Sequence, residues 1–300
     1  MLTVSNLTKK YGTDTAVDDL SFTVPDGQVT GFLGPNGSGK STTMRMCTGL
    51  EMPTSGRAQF DGVDFRELKN PSSCVGTLLD ATWYHPGRTG RAHLSYMAAL
   101  QGKTRSDIDA ALDRVGLLHV AGKRVGGYSL GMKQRLGLAC AMLNGPQHLL
   151  LDEPVNGLDP EGVHWMRDRI REFAAEGRAV LVSSHLLSEM QLTADRLVVI
   201  GRGRLIREGS MEEFLSASGA ARIKVTVDDP AALMRELESR GLPAENAGPD
   251  VVVAGEADPA DIAELSHRLG LRLSGLTKTA PSLEEAFLGA TANDVTYRSY

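Results

Sequence analysis

Apolar residues along this chain fall into short blocks, and their spacing changes from block to block. Val29 to Leu33, His148 to Asp152 and Ala179 to Val182 are nearly unbroken apolar stretches, the pattern of strands buried on both faces of a parallel sheet. The stretch opening with Thr42-Thr43-Met44-Arg45-Met46 reads as a helix, as does the stretch from Ser129 to Leu143. Between Asp80 and Tyr128, Ile108, Ala111, Leu112 and Val115 recur at helical spacing, with Gly102, Gly116, Gly122 and Gly126-Gly127 as breaks, so this stretch reads as helical, beside the strands of an α/β fold.

Past residue 215 the pattern changes. Ser216-Ala217-Ser218-Gly219-Ala220-Ala221 has linker composition. Arg222 to Val227 and Asp250 to Ala254 then read as strands, each followed by a helical stretch, Pro230 to Arg240 and Pro259 to Leu269. A third apolar run, Leu271 to Leu276, precedes Pro281 to Leu288, an amphipathic helix with Leu283, Phe287 and Leu288 inward. Two βα units predict a small α+β module over 222–300 with weak internal repetition. No catalytic group is visible in it.

Three hundred residues allow about two domains, and 41% hydrophobic with 23% charged residues supports a full core. Apolar runs such as Leu149-Leu150-Leu151 and Val198-Val199-Ile200 stop far short of the ~20 residues that cross a bilayer. Met1 to Gly12 lacks a signal-peptide core, so a cytoplasmic chain is expected. Cys47, Cys74 and Cys140 show no metal-ligand spacing and read as reduced thiols. The net charge of −5 is unevenly placed: residues 219–300 hold 8 Lys/Arg against 13 Asp/Glu, while residues 1–218 balance at 24 and 24. Neither part has the basic excess of a nucleic-acid binder, so no nucleic-acid partner is expected.

The chemistry begins at residues 34–42, Gly-Pro-Asn-Gly-Ser-Gly-Lys-Ser-Thr, a G-x-x-x-x-G-K-[ST] loop between a strand and a helix. Gly34, Gly37 and Gly39 let consecutive N–H groups curl around phosphate oxygens, and the helix N-terminus adds positive partial charge. Pro35, Asn36, Ser38 and Thr42 complete the cradle. Lys40 would reach the β- and γ-phosphates and Ser41 would place a hydroxyl on Mg²⁺. A second run, His148-Leu149-Leu150-Leu151-Asp152-Glu153-Pro154, ends a core strand in two carboxylates. Asp152 would hold Mg²⁺ and Glu153 would deprotonate the water attacking the γ-phosphorus. A nucleoside triphosphate is the expected ligand.

In this order the motifs resemble those of the ATP-binding subunits of ABC transporters, over roughly residues 1–215. Tyr128-Ser129-Leu130-Gly131-Met132-Lys133-Gln134-Arg135 is similar to the family's signature, where Ser129 and Gly131 would meet ATP held by a second subunit. Asn156-Gly157-Leu158-Asp159 is similar to the D-loop, with Asp159 near the nucleotide, and Ser183-Ser184-His185 to the switch-histidine segment. Tyr11 stands where the family stacks an aromatic on adenine. The resemblance implies a P-loop ABC-type ATPase core with a helical subdomain over about residues 80–135, ATP and Mg²⁺ bound in a homodimer, and catalytic work by Glu153, His185 and Lys40.

Three positions depart from the family pattern. Asp80 replaces the usual Gln, as a candidate ligand for Mg²⁺ or its water; Leu130 replaces the first signature glycine; and His148 replaces an apolar residue. The signature spelling and the closing Pro-Ser-Leu-Glu-Glu-Ala-Phe-Leu are similar to those of antibiotic exporters of the bacitracin and daunorubicin type. The implied partner is a separately encoded ABC-2-like permease, docking near Thr82-Trp83-Tyr84-His85-Pro86. The rival readings are a soluble ABC ATPase acting on ribosomes or DNA, and an ATP-dependent switch.

Overall fold

A computed structural model describes residues 1–80, 83–99, 101–217, 222–248, 250–254, 257–279, 282–284 and 287. The chain divides into two compact units, one over Met1–Met211 and one starting at Glu212.

The first unit opens with an antiparallel pair, β1 (Leu2–Tyr11) and β2 (Asp14–Val24). Leu2, Val4 and Leu7 alternate inward from one strand and Leu20, Phe22 and Val24 from the other. The chain then enters β3 (Val29–Leu33), buried at every residue, and α1 (Lys40–Cys47). It returns to the first sheet as β4 (Ser55–Phe60) and β5 (Val63–Asp64), giving the order β2-β1-β4-β5. A short α2 (Pro71–Cys74) leads into β6 (Val75–Leu78).

The helical subdomain follows as α3 (Gly90–Ala99), α4 (Arg105–Arg114) and α5 (Leu130–Met142). It has its own core, in which Leu94, Leu112, Val125 and Leu136 are fully or almost fully buried. Thr104 and Asp107 form a capping box at the start of α4, satisfying two of its orphan donors.

Thereafter strands and helices alternate: β7 (His148–Asp152), α6 (Pro160–Ala175), β8 (Ala179–Ser184), α7 (Leu187–Thr193), β9 (Arg196–Gly201) and β10 (Arg204–Ser210). They complete a six-stranded sheet of order β10-β9-β3-β8-β7-β6, parallel except for β10. One apolar cluster joins the two sheets, with Phe22 and Phe32 stacked at 5.2 Å between ring centroids. In the core sheet Leu33 partners Ser184 and Asp152 partners Ser183. The phosphate loop, the two acids and His185 therefore leave the sheet side by side at its carboxyl edge, where ligands sit in open parallel sheets.

The second unit starts within α8 (Met211–Ala217), so Ser216 and Ala217, which read as linker, are helical; residues 218–221 lie outside the described residues. It continues through β11 (Arg222–Val227), α9 (Pro230–Ser239), β12 (Ala244–Ala247), β13 (Asp250–Ala254), α10 (Pro259–Arg268) and β14 (Leu273–Thr279). Its sheet is antiparallel in the order β12-β13-β11-β14. Leu233 and Leu237 of α9 and Ile262 and Leu265 of α10 cover Ile223, Val225, Val251 and Val253. In the expected closing helix Leu283, Glu284 and Phe287 are helical, with Leu283 buried and Phe287 partly so; Leu288 lies outside the described residues.

Candidate nucleotide site

The loop between β3 and α1 works by two different uses of glycine. Gly37 and Gly39 have φ of +79° and +104°, angles that only glycine adopts without strain. Gly34 does not have a positive φ; contrary to the sequence expectation, its role is close packing, because a Cβ there would lie 2.5 Å from the Ile200 carbonyl oxygen and from Ser38 Oγ. Gly39 meets both demands, since its Cβ would also come within 2.6 Å of the Ala16 carbonyl. The turn after β9 supports the loop from behind, with Gly203 N–H donating to the Ser38 carbonyl at 2.9 Å.

Helix α1 begins at this loop without a side-chain cap and without an acidic residue in its first turn. Its leading N–H groups are left to an anion, and the helix dipole adds to the attraction. Ser38 Oγ is buried without a hydrogen-bond partner, a further polar atom in the cradle. Pro35 is partly buried and Asn36 exposed on the loop, while Ser41 is exposed and Thr42 partly buried at the start of α1. Lys40 is only 7% exposed, and its Nζ donates to the Gly34 and Pro35 carbonyls at 2.6 and 3.2 Å. Burial lowers the Lys40 pKa, against the opposing pull of Glu153 and Asp152. Those two carboxylates therefore help keep the ammonium charged.

At the end of β7, Glu153 has φ +49°, a strained backbone for a residue with a Cβ. Ser183 of β8, which is fully buried, secures this turn. Its hydroxyl donates to Asp152 Oδ1 and accepts from Glu153 N–H, the latter at 2.9 Å. Glu153 Oε2 in turn lies 2.8 Å from His185 Nδ1. With Glu153 ionised this contact sets the proton on Nδ1, fixing the ring's tautomer. Asp152, Glu153 and His185 thus form a connected row through Ser183. Sequence reasoning gave roles to the three but quoted Ser183 only as part of the segment before His185, with no role of its own. The parallel register of β7 and β8 was the signal that would have found it.

Ser129 caps α5, accepting from Met132 N–H at 3.2 Å, and stays exposed. Leu130, the departure from the family glycine, is 42% exposed and leans on the D-loop: a Cβ at Gly157 would lie 2.5 Å from Leu130 Cδ2. Gly131 reciprocates, its Cβ position 3.5 Å from Leu158 Cδ2. Asp159 Oδ1 accepts from Gly162 N–H at 2.8 Å and caps α6. Asp80 lies two residues past β6, where Leu78 partners Leu151, and so near the Asp152 end of β7. Tyr11 is half exposed at the end of β1, with Lys9 Nζ 4.8 Å from its ring centroid. Trp83 is 57% exposed, whereas Tyr84 packs partly on the helical core and faces Lys133; Thr82 lies outside the described residues.

A glycine cradle opening an uncapped helix, set beside two strand-end carboxylates, defines a P-loop nucleotide-binding protein. Known proteins carry this further. The ABC transporter family matches residues 17–156. Nod factor export ATP-binding protein I of Burkholderia orbicola is 35% identical over 297 residues, covering 97% of this chain and 96% of its own. Bacitracin transport ATP-binding protein BcrA of Bacillus licheniformis is 41% identical over 211 residues, 69% of either chain. The solved structure of the ATP-binding subunit of an ABC transporter superposes with a TM-score of 0.66 and 26% identity over 72% of this chain and 92% of that one. The chain belongs to the ATP-binding subunits of ABC transporters. Among the described residues no helix is long and apolar enough to cross a membrane.

Proposed function

We propose that this chain hydrolyses ATP as half of a homodimer and powers a separately encoded permease of the ABC-2 type, to which it docks on the cytoplasmic face of the membrane. Export of a drug, antibiotic or peptide is the transport reaction the relatives favour, one named for bacitracin transport and another, aligned along nearly the whole chain, for Nod factor export. The observation that carries the ATPase reading is the connected row Asp152–Ser183–Glu153–His185 beside Lys40.

In this reading the triphosphate lies along the N–H groups of residues 34–42, with Lys40 leaving its carbonyl partners to meet the β- and γ-phosphates. Glu153, directed by His185, takes the proton of the attacking water as the bond from the γ-phosphorus to the ADP oxygen breaks. The donor set of Ser41, Asp152 and Asp80 is all oxygen and suits Mg²⁺, which when bound neutralises charge on the β- and γ-phosphates. Tyr11 offers a face to the adenine. Ser129 and Gly131 of one subunit contact the ATP of the other, and Asp159 lies near that shared site. The docking surface for the permease includes Trp83.

Steady-state hydrolysis by the purified chain tests this. Turnover should need Mg²⁺ and fall at least about a hundredfold in Glu153→Gln, as for loss of a general base, with ATP binding retained. ATP binding without turnover in the wild-type protein, even with permease present, would overturn the ATPase reading in favour of a switch.

A further inference from the structure

His148 is out of place in β7. The three residues after it are leucines buried in the sheet, yet the first position carries an imidazole with only 1% of its side chain exposed. Two other elements converge on it. The turn between β4 and β5 supplies Asp61, held at φ +52°, whose Oδ2 lies 2.9 Å from His148 Nε2. The end of α2 supplies the half-buried Cys74. One ligand atom from each of the three lies within 4.8 Å of the others, and among the described residues no second group of this kind occurs. The cluster is at the far end of β7 from Asp152, about 13 Å away at the usual rise per residue, so it is separate from the nucleotide site.

We propose that Asp61, Cys74 and His148 form a binding site for a zinc-class divalent cation, with one oxygen, one sulfur and one nitrogen ligand. Donors at 2.0–2.3 Å from a tetrahedral ion sit about 3.3–3.7 Å apart. Pairs at the 4.8 Å limit must therefore close by up to about 1.5 Å, while Nε2 and Oδ2, now 2.9 Å apart, open by about 0.4 Å, both side-chain adjustments. A thiolate and an imidazole select Zn²⁺ or Co²⁺ over Mg²⁺, so the ion used with ATP does not compete. On binding, the thiol releases its proton to solvent, and the ion takes the place of the proton between Nε2 and Oδ2, which moves to Nδ1.

Two neighbours set the affinity. The Met1 ammonium holds Asp61 Oδ1 at 2.5 Å and Asp26 at 2.7 Å, leaving Asp61 Oδ2 for the ion. His148 Nδ1 is buried without a hydrogen-bond partner, so it lacks the outer contact whose loss typically weakens zinc binding 10–100-fold. The site is accordingly an exchangeable one. When filled, it ties the β4–β5 turn and α2 to the base of β7.

The test is titration of the full chain with Co²⁺ in the absence of nucleotide, reading the thiolate-to-cobalt charge-transfer absorption. One equivalent of that absorption is expected, erased by added Zn²⁺, absent in Cys74→Ser and shifted to at least tenfold higher Co²⁺ in Asp61→Asn. Cys47 and Cys140 lie outside this group of ligands, so neither substitutes for Cys74. Cys74→Ser should keep wild-type hydrolysis without added metal, and Zn²⁺ should raise Tm in the wild-type chain but not in this variant. No charge-transfer band, a band that survives in Cys74→Ser, or unchanged affinity in Asp61→Asn would overturn the proposal.

Discussion

Replacing Ser183 by alanine removes one oxygen atom and breaks two contacts at once. The hydroxyl's bond to the Asp152 carboxylate is charge-assisted, and such bonds contribute about 1.5–3 kcal/mol. Glu153 N–H, at a strained φ of +49°, loses its acceptor at the edge of the core, which costs about 1–3 kcal/mol more. Ser183→Ala should therefore lower unfolding stability by about 2.5–6 kcal/mol. If the first contact is what orients Asp152 for catalysis, its loss corresponds to a fall in kcat of about 10–100-fold. The phosphate cradle is untouched, so KM for ATP should stay within about threefold. Hydrolysis kinetics with denaturant midpoints for Ser183→Ala and Ser183→Thr separate the two effects. The threonine keeps the hydroxyl and should recover most of kcat. An alanine variant with kcat within twofold of wild type, or a threonine variant as slow as the alanine, would refute the claim that this hydroxyl organises the acids.

Gly34→Ala should abolish ATP binding or folding through its 2.5 Å approach to the Ile200 carbonyl, whereas Gly37→Ala, which meets no atom within 4 Å, should only weaken binding through its φ of +79°; equal losses in equilibrium dialysis would contradict the division of roles. At Asp61 burial opposes ionisation, but hydrogen bonds from the Met1 ammonium and His148 outweigh it and hold the carboxyl below its ordinary range. The ionised form thus stabilises the fold above the unfolded value near pH ~4, and that stability disappears as pH falls through the lower folded value. Asp61→Asn should be less stable than wild type at pH 7, with the gap closing below about pH 4 in chelator-treated protein; a gap independent of pH would contradict this. Trp83→Ala should leave Tm and the hydrolysis of the isolated chain near wild type, as for an exposed position, but weaken association with the permease; a clear loss of Tm would identify Trp83 as packing.

What the sequence made legible was the part governed by contiguous residues. β3, β7 and β8 were visible as apolar blocks because both faces of a central strand are covered, and the loop at 34–42 carries its own spacing. The antiparallel sheet was harder to see. β1 shifts register three times against β2, and Asn6 and Asp19 have positive φ, so the two-residue alternation is interrupted. β12 is almost wholly exposed and offers no apolar signal. Long-range partnerships were hidden for a different reason. Ser183 acts on Asp152 from 31 residues away and Asp61 meets His148 across 87; the first needs the register of β7 on β8, the second the packing of one sheet against the other. Gly34 looked like its neighbours in the motif, yet its constraint comes from Ile200 on an adjacent strand. Leu130, a departure in the alignment of motifs, has a local counterpart in the unobstructed backbone of Gly157.

The most direct test of the dimeric ATPase is the mass of Glu153→Gln by light scattering, with and without ATP. Slowed hydrolysis should trap the closed pair, doubling the 32.1 kDa chain mass only when ATP is present, and a second substitution, Ser129→Glu, should prevent it. A Glu153→Gln chain that binds ATP but remains monomeric at every protein concentration, or one that pairs equally well with Glu at position 129, would contradict the account.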